Sequence, residues 1–254
     1  MSAWVLLRGL TREAGHWGGF VEQLAAGLPG ARILTPDLPG NGVLHTETSP
    51  ARVEAMVDSC RRQVAGQPLC GPIHVLAMSL GAMVAVAWAA ARPQELAGCV
   101  LINTSLRPFS PFHHRLRPPS YPALLGVLAG GDARRKEAAI LRLTSRIADP
   151  VVLDDWVRLR RVHPVSSANA LRQLLAAARF RAPCRAPRVP MLVLNGAADA
   201  LVDARCSAAL AARWGLPLAR HPWAGHDLPL DDGAWVVERI RAWLAADGAL
   251  GPGP

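Results

Sequence analysis

Short, unbroken apolar runs alternate with longer stretches of helical spacing through both ends of this chain. Trp4-Val5-Leu6-Leu7 predicts a buried strand, closed by Arg8-Gly9. His16 to Leu28 carries Trp17, Phe20, Val21 and Leu24 at helical intervals and stops at Pro29-Gly30. Arg32-Ile33-Leu34-Thr35 predicts a second strand. Ser49-Pro50 then predicts a helix to about Val64, with Ser as cap and Pro in the first turn. Ile73 to Ala77 and Cys99 to Asn103 predict two more strands around an Ala-rich helix over Ser79 to Arg92.

The rhythm breaks at Leu106. Pro108, Pro111 and Pro118-Pro119 interrupt any strand, and three helical patterns follow: Ala133 to Ile147, Val151 to Val162 and Ser167 to Phe180. Alternation resumes with a strand over Val189 to Asn195, a helix over Val202 to Trp214, a short strand over Leu218 to His221 and a helix over Asp231 to Ala245. Apolar strands that lack polar alternation are buried on both faces, as in parallel sheets covered by helices. The expected fold class is therefore α/β, a mostly parallel sheet of about six strands. Residues 1–105 and 188–247 form its core, residues 106–187 a helical cap inserted after the fourth strand, and residues 248–254 a flexible tail.

Composition supports a sizeable core, with 51% hydrophobic residues among 254. No apolar run is long enough for a membrane span. No basic stretch followed by an apolar one opens the chain, and the five cysteines form neither a Cys-x-x-Cys motif nor a Cys/His ligand cluster. Reduced thiols and a cytoplasmic location are expected. The formal net charge is +9, and it is unevenly spread. Thr104 to Arg188 holds 16 Lys+Arg against 5 Asp+Glu, an excess of +11, which a solvated face or an acidic partner would explain. No aromatic–basic pattern accompanies these arginines, so nucleic acid is not expected.

The candidate chemistry lies at strand ends. Ala77-Met78-Ser79-Leu80-Gly81 joins the third strand to its helix as small-x-Ser-x-Gly, the pattern of a nucleophile elbow. A serine needs a base, and the base an acid to orient it. Asp199 follows the strand Met191 to Asn195, with Asp203 as a nearby substitute. His226 follows the strand Leu218 to His221, with His221 as competitor. Asp227 reads as solvated or loop-bonding, His74 as a core histidine, and the pair His113-His114 as exposed residues without a third ligand.

Ser79, Asp199 and His226 occur in the order of the α/β-hydrolases. The elbow, Leu194-Asn195-Gly196-x-x-Asp199, Gly225-His226-Asp227-x-Pro229 and Pro36-Asp37-Leu38-Pro39-Gly40-Asn41-Gly42 together resemble that superfamily over essentially the whole chain outside the insertion. Within it the chain resembles small bacterial carboxylesterases of the pimeloyl-acyl-carrier-protein methyl ester esterase type. The resemblance implies the α/β-hydrolase fold and a serine hydrolase acting through an acyl-enzyme, with no cofactor and no metal. It implies Ser79 as nucleophile, His226 as base, Asp199 as orienting acid, and the amides of Leu80 and Leu10 as oxyanion donors. Met78, beside the nucleophile, is placed either to touch substrate or to fill core space. Arg8 stands where relatives commonly have His, and Asn41 where His is also common. An ester substrate is implied, with an acidic acyl carrier protein at the Arg-rich cap as candidate partner. Thioesterase, lactonase and carbon–carbon hydrolase activities share the scaffold, and a non-catalytic binding protein is the alternative of another class.

Overall fold

The computed structural model describes residues 2–69, 71–147 and 149–246. The tail expected at 248–254 and the thiol of Cys70 lie outside them. The strands β1 (Ala3–Leu7), β2 (Arg32–Leu34), β3 (Ile73–Met78), β4 (Leu96–Ile102), β5 (Met191–Gly196) and β6 (Leu218–His221) form one sheet in the order β2-β1-β3-β4-β5-β6. Every pairing is parallel. The chain steps outward from β1 to β2 and then returns to the other side of β1 for β3. The crevice beyond the carboxyl ends of β1 and β3 is thus the switch point where open α/β sheets hold ligands.

Alternate strand residues feed two cores. Val5, Leu7, Val75, Ala77, Cys99 and Leu101 face one side, where α2 (Val53–Ala65) and α3 (Leu80–Ala91) pack. Trp4, Leu6, Leu76, Val100 and Ile102 face the other, where α1 (Phe20–Gly27) and the long terminal helix (Leu228–Ala246) pack. This two-sided burial explains the unbroken apolar runs of the sequence.

Several boundaries shift by a few residues from expectation, and two of the shifts have an evident cause. The stretch from His16 is split: a short turn over Ala14–Trp17 ends at Gly18, whose φ is +50°, before α1 begins. The Ser49-Pro50 signal does not start α2, which begins at Val53. Ser49 is instead buried, its hydroxyl donating to the Pro39 carbonyl at 2.5 Å and its N–H to Asn169 Oδ1 at 2.9 Å. A long-range contact has claimed the residue that local chemistry would have used as a cap.

Between β4 and β5 the chain leaves the sheet. It forms α4 (Phe112–Arg115), α5 (Tyr121–Ala129), α6 (Ala133–Thr144), α7 (Pro150–Val162) and α8 (Ser167–Arg179). The sequence pattern gave α6 to α8, but α4 and α5 lie in its Pro-rich stretch. Pro122 is tolerated in the first turn of α5. Arg107 and Arg181 bridge in parallel where the insertion departs and returns, and Ala182 N–H donates to the Arg107 carbonyl at 2.7 Å. After β5 come α9 (Arg205–Trp214) and α10 (Leu228–Ala246), the latter broken at Asp232. Among the described residues no helix is long and apolar enough to cross a membrane.

Candidate active site

Ser79 sits between β3 and α3 with φ +51° and ψ −115°, a conformation that a non-glycine residue adopts only under constraint. Three bonds hold it there. Its N–H donates to the Ile102 carbonyl at 3.0 Å, and its carbonyl accepts from Met83 N–H at 3.3 Å and from the Thr104 hydroxyl at 3.0 Å. Small neighbours are required by space. A Cβ on Gly81 would lie 2.5 Å from the Leu7 carbonyl oxygen and 2.6 Å from that of Arg8. A Cβ on Gly9 would lie 3.2 Å from that of Ser79.

Asp199 and His226 are brought together from two strand ends. His226 Nδ1 lies 2.7 Å from Asp199 Oδ2. Asp199 Oδ1 accepts from the amides of Leu201 and Val202 at 2.8 and 2.9 Å, so one carboxylate oxygen is fixed by backbone and the other faces the imidazole. The acid is 2% exposed. Burial disfavours the charged imidazole, but Asp199, its hydrogen bond and then Asp227 outweigh that, and the His226 pKa is raised above its ordinary value.

Ser79 and His226 line one cavity of about 220 Å³, together with Gly9, Leu10, Met78 and Leu80 from the sheet edge and side chains of α5, α6 and α8 from the insertion. No hydrogen bond joins Ser79 to His226 among the described residues; in apoenzymes such bonds are often long and tighten only with substrate. Leu80 is the first residue of α3, so its N–H has no helical acceptor. In the loop after β1 the Thr11 N–H is engaged by Gln173 Oε1 at 2.8 Å, while Leu10 lines the cavity. Met78 is buried, and its Sδ accepts from Arg8 Nη1 at 3.3 Å.

The competing candidates lie elsewhere. Asp203 accepts from the N–H and guanidinium of Arg205 and makes no bond to His226. His221 accepts from Ala224 N–H at 3.0 Å, faces Asp232 and packs edge-on against Trp223 and Trp235, a structural role. His74 stacks on Trp4. His113 and His114 meet edge to face. No group of three or more His, Cys, Asp or Glu among the described residues could hold a metal ion. Cys60 and Cys99 are buried free thiols whose pKa burial pushes up to about 12, which leaves them inert.

Two positions matter more than the sequence suggested. Asn103 ends β4 at φ +47° and is fully buried. Its Nδ2 donates to the carbonyls of Gly225 and His226 at 3.0 and 2.8 Å, and its Oδ1 accepts from Gly196 N–H at 2.9 Å. One amide thus ties the His226 loop to the turn that bears Asp199. The signal was a polar residue closing an apolar strand. Asp227 is not solvated: it is buried and paired with Arg8 at 3.0 and 2.5 Å, and Arg8 also lies 4.7 Å over the Trp17 ring. Arg8, standing where relatives commonly have His, therefore bonds the loop after β1 to the loop of His226. Asn41 is buried as well, bonded to the Arg12 carbonyl and to Gln173.

The insertion is bolted on by charge. Glu137 of α6 is buried and accepts from Arg12 Nη1 at 2.7 Å and from Arg160 Nε of α7. Arg12 lies 4.5 Å over the Trp156 ring. His16 faces Arg12 at 2.5 Å, and burial followed by the nearby guanidinium groups holds its pKa well below the ordinary value.

The chain matches the alpha/beta hydrolase family over residues 4–239. It is 30% identical over 241 residues to a pimeloyl-[acyl-carrier protein] methyl ester esterase of Aromatoleum aromaticum, covering 87% of this chain and 90% of that one. Its fold is similar to that of a thermophilic esterase from Thermogutta terrifontis (TM-score 0.75, 24% identity, 97% of this chain and 90% of that one). A hydrolase from Pseudomonas aeruginosa superposes comparably (TM-score 0.74, 20% identity, 96% and 89%). With the family match running through almost all of the described residues, this chain belongs to the alpha/beta hydrolase family.

Proposed function

We propose that this protein is a serine carboxylesterase that uses Ser79, His226 and Asp199 as a catalytic triad. The observation that carries the reading is the 2.7 Å contact of His226 Nδ1 with a backbone-fixed Asp199, on a cavity that His226 shares with the constrained Ser79. With Nδ1 donating to Asp199, Nε2 is left as the basic nitrogen. It takes the Ser79 hydroxyl proton as Oγ bonds to the ester carbonyl carbon. The amides of Leu80 and Leu10 receive the oxyanion, aided by the amino end of α3. The intermediate collapses, the ester C–O bond breaks, and the imidazolium gives its proton to the leaving alcohol. A water, deprotonated by His226, then attacks the acyl carbon, releases the acid and restores Ser79. The insertion serves as a cap: its helices complete the wall of the cavity and limit the acyl chain, and Met78 contributes to the floor beside the nucleophile.

The relative from A. aromaticum favours a carrier-bound methyl ester as substrate. The insertion's exposed arginines, Arg134, Arg135, Arg142 and Arg158 among them, suit an acidic acyl carrier. The test is a panel of p-nitrophenyl esters of rising chain length beside one carrier-bound methyl ester. Ser79-dependent turnover is expected. KM for the carrier-bound ester should rise steeply with added salt while that for a short neutral ester changes little. Equal salt responses would remove the carrier, and absence of all turnover would remove the esterase.

A further inference from the structure

Most of the cavity wall is apolar, but four cationic residues besides Arg8 also line it: Arg12, Arg115, Lys136 and Arg160. Arg8 is balanced by Asp227. The other four have one carboxylate between them, Glu137, which Arg12 and Arg160 share. Glu13 is engaged by His163 at 2.7 Å and borders a separate, smaller hollow. Among the described residues the Arg115 guanidinium is held only by the carbonyls of Ala177 and Ala178, and the Lys136 side chain has no ion pair or hydrogen bond. Arg12 Nη2 and Arg115 Nε are buried without a hydrogen-bond partner, on side chains no more than 8% exposed.

A buried cation without a counter-ion is costly, and a buried donor without an acceptor adds to that cost. An anionic ligand oxygen relieves both. The apolar remainder of the wall asks for a hydrocarbon chain. The two demands together describe a molecule with an apolar middle and an anionic end. The volume is below that usual for drug-sized ligands, which favours a short chain.

We propose that the flank formed by Arg12, Arg115, Lys136 and Arg160 is an anion subsite within the acyl pocket. The favoured small substrates are half-esters, whose acid part ends in a carboxylate or another anionic oxygen group. This rests on the esterase reading of Ser79. It concerns charge on the substrate chain itself, inside the cavity, and not the solvated arginines on the outer faces of the insertion.

The test compares kcat/KM of the intact protein for monomethyl and dimethyl esters of the same straight-chain dicarboxylic acids. Half-esters should be favoured at least tenfold at the best chain length, the size of one charge-assisted hydrogen bond. Lys136→Met removes a cation whose side chain makes no ion pair or hydrogen bond among the described residues, and it should bring the ratio toward one, chiefly through KM for the half-ester. A phosphate-ended methyl ester distinguishes a carboxylate subsite from one for any anionic oxygen group, and preference for either over the diester supports the subsite. A ratio of one in the unaltered protein, or a ratio that Lys136→Met leaves unchanged, overturns it. Should neither ester turn over, the esterase reading fails separately. The subsite is then judged by calorimetric binding of the free dicarboxylate, which must saturate in the unaltered protein and weaken in Lys136→Met.

Discussion

Arg8 and Asp227, 219 residues apart in the chain, meet as a buried bidentate ion pair between the loop after β1 and the loop of His226. Each is 5% exposed or less. The pair therefore couples the proposed oxyanion amide of Leu10 to the proposed base. Removing one partner strands the other charge in the interior, at a cost of about 3–5 kcal/mol. Arg8→Met and Asp227→Leu should each lower the free energy of unfolding, read from urea titration, by that amount. The double variant Arg8→Met/Asp227→Leu should recover much of it. Additive losses in the double variant would show that the two charges do not depend on one another.

The raised pKa of His226 sets the acid limb of the pH profile. Burial lowers the pKa, Asp199 and then Asp227 raise it, and the net shift is upward. The base must be neutral, so kcat/KM should fall as pH drops through a value above 6.5. Asp199→Asn removes the strongest raising influence. The limb should then move to lower pH while kcat drops roughly 10⁴-fold, as loss of the orienting acid does in serine hydrolases. A limb that stays in place in Asp199→Asn would detach the histidine from that acid.

Glycine 81 is required by space and Gly126 is not. Gly81→Ala drives a methyl group into the carbonyls of Leu7 and Arg8, neither of which is a flexible side chain. It should cost about 2 kcal/mol or more and lower activity by displacing Ser79. Gly126 lies in α5 with nothing near its missing Cβ, so Gly126→Ala should stabilise the protein by about 0.5–1 kcal/mol. Thermal unfolding of the two variants beside the unaltered protein checks both signs.

Glu137 is the hinge pin of the insertion. It joins α6, α7 and the loop after β1 through Arg160 and Arg12. Glu137→Ala leaves buried Arg12 and half-buried Arg160 without their shared carboxylate and should loosen α6 and α7 while the sheet stays folded. Limited proteolysis should then cut within residues 112–179 many times faster than in the unaltered chain. Cleavage spread evenly along the chain would mean that the insertion and the sheet unfold as one unit.

The four central strands were readable because they are buried on both faces, so hydrophobicity alone marks them. The candidates Ser79, Asp199 and His226 stood out because each lies in the turn or loop that follows a strand. What escaped the sequence depends on partners far along the chain. Ser49 is spent on Pro39 and Asn169 rather than on a helix cap. Asp227 reads equally as solvated or loop-bonding until Arg8 is seen across from it. Asn103 stitches two loops with one amide, which no local pattern could reveal. The short helices α4 and α5 sit among prolines that mask helical spacing, and their position depends on packing against the rest of the insertion.

The nucleophile is tested most directly by treating the native protein with a fluorophosphonate and mapping the adduct by peptide mass spectrometry. The proposed triad predicts one stoichiometric label on Ser79, absent in Ser79→Ala and slowed by orders of magnitude in His226→Ala. A Ser79 that remains unmodified while the protein hydrolyses esters, or a label that persists in Ser79→Ala, would contradict it.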